Sequence, residues 1–368
     1  MNHSDQNYLS WFKDLYQDIW HREDVFSLLS SNVSEPTKLL QDLVENNRDR
    51  MSELLNMSNE WGHPALLEAI ADKQKLLPEN ITLSNGASNG ISLVCQALLK
   101  RDDRVIIEHP VYQPLEIAAR SVGAEVTWLE RKAPGYRIDL NAFAGLVDKN
   151  TKLVILTNLH NPSASFIDRV ELLKIADIAK AANPDIKILV DEIYGDFVGK
   201  DFPYAAALDE CFITISSFSK VYGLSLLRCG WIAADRMTTK IIREQWAKTE
   251  GCGSRLLESI SVLVFEDLGT FLERTRKIVD ENRILVKESL APLIERRILK
   301  GDIPEYGCIY FPEIGHIKDT ADYLKEKHSI YTVPGDFFGK PECIRIGFGG
   351  EKGKLSASLE KLVGALNL

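Results

Sequence analysis

"KLVILTNLHNPSASFIDRVELLKIADIAKAANPDIKILVDE", residues 152–192, decides the fold. Two apolar, β-branched runs at 152–158 and 187–192 flank 170–183, where leucine, isoleucine and alanine recur every three or four residues. Neither run alternates with polar residues, so each reads as a strand buried on both faces, with a helix carrying the chain back between them. That is the unit of a mainly parallel sheet covered by helices. Working outward, the same kind of run recurs in "RVIIEHP" (104–110), "EVTWL" (125–129), "FITISS" (212–217) and "CGWIAA" (229–234).

Beyond Trp231 the pattern changes. Long helical segments, "TTKIIREQWAKT" (238–249) and "GTFLERTRKIVDENRILVKESLAPLIERRI" (269–298), precede the short strands "CIYFPE" (308–313), "IYTVP" (330–334) and "CIRIGF" (343–348) and the helical "IKDTADYLKEKH" (317–328). The expected fold is α/β, a mostly parallel sheet covered by helices, with a smaller α+β domain. The expected division is an N-terminal arm belonging partly to the small domain (1–45), a large cofactor-binding domain (46–255) and a C-terminal small domain (256–368). A long connecting helix near 255–285 is expected to join the two units.

At 368 residues, with 45% hydrophobic and 26% charged, the chain can bury one large core and a second smaller one. A net charge of −9, with no dense lysine or arginine cluster, argues against nucleic acid as a partner. The N-terminal "MNHSDQNYLSWFKDLYQDIW" mixes charges into its apolar residues, so it predicts neither a signal peptide nor a membrane anchor; a cytoplasmic protein is expected. The 6 cysteines show no C-x-x-C and no histidine at zinc-ligand spacing, so reduced thiols and no metal site are expected.

Chemistry concentrates in "SSFSKVYGLSLLRCGW" (216–231). Lys220 directly follows a buried-strand pattern, where an unpaired ammonium is costly. Desolvation of this kind lowers an amine's pKa and suits it to forming an imine with a carbonyl. If that carbonyl belongs to a cofactor with a phosphate tail, Ser217 and the Arg228 fork can hold the phosphate while Lys220 holds the aldehyde end. Asp191, at the end of the apolar run in "ILVDEIYGD", is a buried carboxylate that needs a cation or several donors, or else caps the following helix. Gly86-Ala87-Ser88, at a strand-to-helix turn, offers free backbone N–H groups to an anion.

With "NGAS" (85–88), "HPVY" (109–112), "NLHNPSA" (158–164), "DEIY" (191–194), "SFSK" (217–220) with its following arginine, and "IRIGF" (344–348) in this order, the chain resembles the pyridoxal-phosphate-dependent aminotransferases of class I/II, fold type I, over roughly 30–350. The resemblance implies that pyridoxal 5'-phosphate is bound as a Schiff base to Lys220, which also shuttles the proton. It implies that Asp191 pairs with the ring nitrogen, that Asn161 and Tyr194 donate to the ring's phenolic oxygen, and that Tyr112 stacks on the ring. Gly86, Ala87, Ser88, Ser217 and Arg228 are implied for the phosphate turn and its contacts, and Arg345, with Asn32 and Asn161, for the substrate carboxylate.

The implied activity is transfer of an amino group between an amino acid and a 2-oxo acid by a homodimer. Alternatives are a cyclising or eliminating enzyme acting on a guanidino amino acid, since "HPVYQPL", "SKVYGL" and "VPGDFFGKPECIRIGF" also resemble capreomycidine-synthase-like enzymes, and a silent regulator on the same fold. Two departures stand out. The family's Thr-Gly after Asn-Pro is replaced by Ser163-Ala164, and 59–71 lacks the tyrosine that reaches the partner's phosphate, leaving Trp61 or Asn56 as replacements. The N-terminal stripe Phe12, Leu15, Tyr16, Ile19 and Trp20 reads as packing surface or as a lid whose Asp14, Asp18 or Glu23 meets a cationic side chain. His109, His160 and Cys229 read as structural neighbours of the site.

Overall fold

Seven strands form one sheet: β1 (Ile81–Asn85), β2 (Arg104–His109), β3 (Glu125–Glu130), β4 (Thr151–Thr157), β5 (Lys187–Asp191), β6 (Phe212–Ser217) and β7 (Cys229–Ala233). Their order is β1-β7-β6-β5-β4-β2-β3. The pairs from β3 through β2, β4 and β5 to β6 are parallel, whereas β7 runs antiparallel to both β6 and β1. This computed structural model describes residues 7–19, 21, 22, 24–57, 60–314 and 319–367.

The apolar runs have the cause expected of them. In β4, Leu153 and Ile155 enter one core with Ile91, Val94 and Leu115, while Val154 and Leu156 enter the opposite core with Leu172, Ile175 and Ala176. Alternate side chains of a strand point to opposite faces, so a strand covered on both sides must be apolar throughout. The helix Arg169–Ala182 begins where Asp168 accepts a hydrogen bond from the Glu171 N–H at 2.9 Å.

A second core gathers Leu28 and Val33 with Val279, Val286, Leu290, Ile344, Ile346, Leu359 and Leu362. It packs the helices Leu268–Glu295 and Lys352–Leu366 on a three-stranded antiparallel sheet of Ile309–Tyr310, Ile344–Gly347 and Val333–Pro334. The N-terminal residues 28–33 therefore share a core with the C-terminal third of the chain.

Several expectations need correction; the run 330–334, for one, is two short strands, Ile330–Tyr331 and Val333–Pro334. The connecting segment is two helices, Arg255–Glu266 and Leu268–Glu295. Asp267 leaves the helical region at φ −113° and ψ 24°, and its carboxylate accepts from the Thr270 hydroxyl at 2.6 Å. The run 308–313 is divided into two short strands by Pro312, which has no N–H for the ladder.

In the helix Tyr8–Ile19 the buried stripe is Tyr8, Trp11, Leu15 and Ile19, with Phe12 half-buried and Tyr16 exposed. The stripe is turned toward Tyr112, Phe337 and Phe338, which Tyr8 touches ring to ring. Trp20 and Glu23 lie outside the described residues. No helix among the described residues is long and apolar enough to cross a membrane.

Candidate active site

The parallel strands deliver their polar residues at their carboxyl ends, the edge of an α/β sheet where crevices form. Tyr112 follows β2, Asn161 follows β4, Asp191 closes β5, and Lys220 lies three residues beyond β6. These four, with Tyr194, Ala87, Ser88, Asn32 and Arg228, line a single cavity of about 170 Å³. Thr157, Leu159, Ile91, Ile193, Ser219 and Ser225 complete the lining; Leu159, Ile193 and Ser219 lie within the quoted family motifs but were given no role, and the other three lie outside them.

Asp191 is 4% exposed, and its side chain accepts one backbone hydrogen bond, from Ile193 N–H at 3.1 Å. Among the described residues no lysine or arginine forms an ion pair with it. Burial pushes its carboxyl up to about 7, the nearby Glu108 carboxylate adds to the rise, and Lys220 opposes it. Lys220 moves the other way: burial, then the Arg345 cation, brings its amine down to about 8. Lys220 Nζ donates to the Ser31 hydroxyl at 2.9 Å, and its carbonyl accepts from Val33 N–H at 3.1 Å. Ser31, next to the expected Asn32, was missed because a serine in a serine run carries no signal.

At the other end of the cavity the helix Ala87–Leu98 starts with no side-chain cap, leaving its first N–H groups available. Gly86, not itself a lining residue, has φ +81°, and a Cβ there would lie 2.4 Å from Arg228 Nη2, so only glycine lets the guanidinium come this close. Arg228 donates from Nη2 to the Asn85 carbonyl at 2.9 Å, and its backbone is held left-handed at φ 46°. Ser217 departs from expectation. It is buried off the cavity, and its hydroxyl accepts from Ser219 N–H at 3.2 Å, while Ser219 takes the lining position. The turn after β6 is tight enough that the first serine serves the backbone.

Arg345 also lies behind the cavity wall. It is 1% exposed, donating to Asn161 Oδ1 at 3.1 Å, the Tyr8 hydroxyl at 3.2 Å and the Leu29 carbonyl at 3.4 Å. Its Nε is buried without a partner. Gly347 makes room for this arrangement: a Cβ there would stand 1.8 Å from the Ser30 carbonyl oxygen. Tyr8 was missed because the stripe on its helix was read one face away.

A buried network under the site was also missed. Glu108 and Arg131, both fully buried, pair at 2.6 Å. The Thr157 hydroxyl donates to Glu108 and accepts from Asn161 N–H at 3.1 Å, fixing the loop that carries Asn161. An acid inside the apolar run "RVIIEHP" was the available signal. The Asp196 carboxylate accepts from Lys73 at 2.5 Å and from the Tyr204 and Tyr222 hydroxyls, each at 2.8 Å, which ties the 191–196 segment to the Lys220 turn.

The neighbours read as structural behave so. His160 Nε2 lies 2.9 Å from the Pro110 carbonyl and Nδ1 2.6 Å from the Ser163 hydroxyl, and burial keeps the ring neutral. His109 packs on Trp128, and burial pushes the Cys229 thiol up to about 12. Ala164 takes φ +59°, so the substituted loop keeps a turn that glycine adopts more readily. Trp61 is engaged within its own chain, against Trp246 and under the Arg243 guanidinium, and Asn56 bonds the Ser52 carbonyl of its own helix.

The family described as Aminotransferase class I and II matches residues 23–362. The chain belongs to this family. An aspartate aminotransferase of Pyrococcus horikoshii is 26% identical over 97% of this chain and 93% of its own. Capreomycidine synthase of Streptomyces vinaceus is 26% identical over 81% of this chain and 77% of its own. A PLP-dependent aminotransferase from Streptococcus suis superposes with a TM-score of 0.86 at 27% identity, covering 96% of each chain.

Class I and II aminotransferases use pyridoxal 5'-phosphate, and the residues present fit it. The Tyr194 hydroxyl is buried with no hydrogen-bond partner of good geometry, although Ser31 lies near it. Asp191 is a buried carboxyl awaiting a cation, and the uncapped helix start and Arg228 form an anion cradle at the far end of the same cavity.

Proposed function

We propose that this aminotransferase-family protein is a transaminase, moving an amino group from an amino acid to a 2-oxo acid with Lys220 as the reactive amine. The observation that carries the proposal is that Lys220 and Asp191, from adjacent strand ends, line one cavity without forming an ion pair, the amine brought down to about 8 and the carboxyl pushed up to about 7.

When bound, pyridoxal phosphate supplies an aldehyde that captures amines and a ring that accepts the electron pair left when a bond at Cα breaks. Ala87 and Ser88, through the helix start, and Arg228 bind the phosphate; Ser219 stands where Ser217 was expected to help. Asp191 and Tyr112 line the cavity where the ring would lie, so the carboxylate would hold the ring nitrogen's proton and the Tyr112 ring would pack on it. Asn161 and Tyr194, on the same lining, would donate to the ring's phenolic oxygen. Lys220 Nζ, partly neutral near pH 8, would be the group that accepts and holds the proton released from the substrate Cα. Arg345 clamps the substrate carboxylate, its fork already oriented by Asn161, and Asn32 borders the same end.

The proposed organisation is the division 1–45, 46–255 and 256–368, in a cytoplasmic homodimer of amino-acid biosynthesis. Exposed Leu55, Met57, Leu226 and Leu256, on or beside elements that pack together next to Arg228, support burial against a second copy.

The test is the cofactor's visible spectrum during addition of single amino acids without 2-oxo acid. Stoichiometric conversion to the amine form, reversed by a 2-oxo acid, is expected. Steady turnover with an amino acid alone points instead to elimination or cyclisation, the alternative implied by the resemblance to capreomycidine-synthase-like enzymes, one of which is a relative of this chain. No spectral response to any donor contradicts both.

A further inference from the structure

A cleft of about 570 Å³ opens between the loops at the sheet's carboxyl edge and the 300–313 segment of the C-terminal unit, and none of the chemistry above uses it. Its walls carry four aromatic rings, two from each side. Phe166 meets Tyr306 edge-on at 5.8 Å, and Tyr136 meets Phe311 at 6.2 Å, so both pairs bridge the two units. The polar lining is acidic in effect. Lys300 is paired with Glu313 at 2.5 Å and Arg137 with Glu171 at 2.8 Å, whereas Asp302 and Glu305 have no ion-pair partner among the described residues. The carboxylates of Glu305 and Asp201 also help to hold the Tyr306 phenol above its usual range, after burial.

The cleft is separate from the Lys220 cavity. Leu159, Ala164, Tyr194 and Ile309 pack into one apolar cluster between them, joined by Phe166 and Tyr306. Its floor is Ser163–Ser165, the loop directly after Asn161, which His160 anchors through the Ser163 hydroxyl.

We propose that this cleft is a second ligand site, for a small organic cation with an apolar body, such as a substituted ammonium or guanidinium group on a hydrocarbon or ring. Aromatic faces attract cations through their quadrupoles, the exposed Asp302 and Glu305 carboxylates supply the counter-charge, and the volume suits a small molecule. Because its two walls belong to different units, a ligand seated there ties the 158–166 loop to the 300–313 segment.

The test uses benzyltrimethylammonium, which has no N–H and cannot react with the cofactor aldehyde, against its uncharged isostere neopentylbenzene. Binding to the holoenzyme is measured by calorimetry and by protein NMR shifts. Asp302 and Glu305 are exposed, so the double variant Asp302→Asn/Glu305→Gln should fold. The expected result is saturable binding of the cation, about tenfold weaker in the double variant and unchanged after borohydride fixes the cofactor in the Lys220 cavity. Equal binding of the uncharged isostere, an unaffected double variant, loss of binding on borohydride treatment, or no binding at millimolar concentration each overturns the proposal. None of these results depends on whether the enzyme transaminates.

Discussion

Two arginines serve the two ends of the proposed substrate–cofactor complex, and they are built differently. Arg228 is exposed at the cavity rim, its approach made possible by Gly86, with one protein carbonyl on Nη2 and another, that of Ser225, on Nη1 at 3.4 Å. Arg345 is 1% exposed and already engaged by Asn161, Tyr8 and Leu29, with the Phe338 ring 5.2 Å from its guanidinium carbon. The phosphate end is a preformed cradle that anions can enter from solvent. The carboxylate end is self-satisfied, so a substrate must exchange partners there. Affinity for the cofactor should then reside in the first region, and recognition of the substrate, with its conformational cost, in the second.

The largest expected effect falls on the group between them. Asp191→Asn should lower kcat about 1000-fold, since an amide cannot hold the ring nitrogen's proton. The same substitution has a stability signature in cofactor-free protein. The carboxyl sits near 7 when folded against 3.8 unfolded, so between those values the folded state binds the extra proton. Stability should therefore fall as pH rises from about 4 to 7, by up to about 4 kcal/mol, and level off above. Urea unfolding of the Asn variant should lack that slope; a wild-type slope of the opposite sign contradicts the assignment.

Next come the arginines themselves. Arg345→Lys keeps the charge and loses the fork, and should lower kcat/KM about 100-fold with cofactor affinity unchanged. Arg228→Ala should do the reverse, weakening cofactor binding about 100-fold by fluorescence titration while kcat at saturating cofactor changes little. If both variants lose the same parameter, the two-ended division fails. The smallest effect is the sharpest probe. Tyr8→Phe frees one donor of Arg345 in advance and should lower KM about two- to fivefold; a rise in KM makes Tyr8 a permanent positioning group for the guanidinium.

Much of this was legible in the sequence, for physical reasons. The runs at 152–158 and 212–217 named their strands because burial on both faces removes polar residues. Lys220 and Asp191 stood out because charge at the end of such a run is costly. What stayed hidden depended on three-dimensional direction: Ser219 rather than Ser217 on the cavity, Tyr8 rather than Phe12 on the buried stripe, and the helix break at Asp267, whose carboxylate accepts from the Thr270 hydroxyl. Glu108 lay in plain view, but its partners Arg131, just past the end of β3, and Thr157, at the end of β4, are distant in sequence, and only the sheet brings them together.

The central claim is that Lys220 makes the covalent link to the cofactor. Borohydride reduction of the holoenzyme followed by proteolysis and mass spectrometry reads it directly. One reduced pyridoxyl-phosphate group per chain on the peptide carrying Lys220, absent in Lys220→Ala, is the predicted result. Stoichiometric label on a different lysine, or reduced protein with no label at all, contradicts the account.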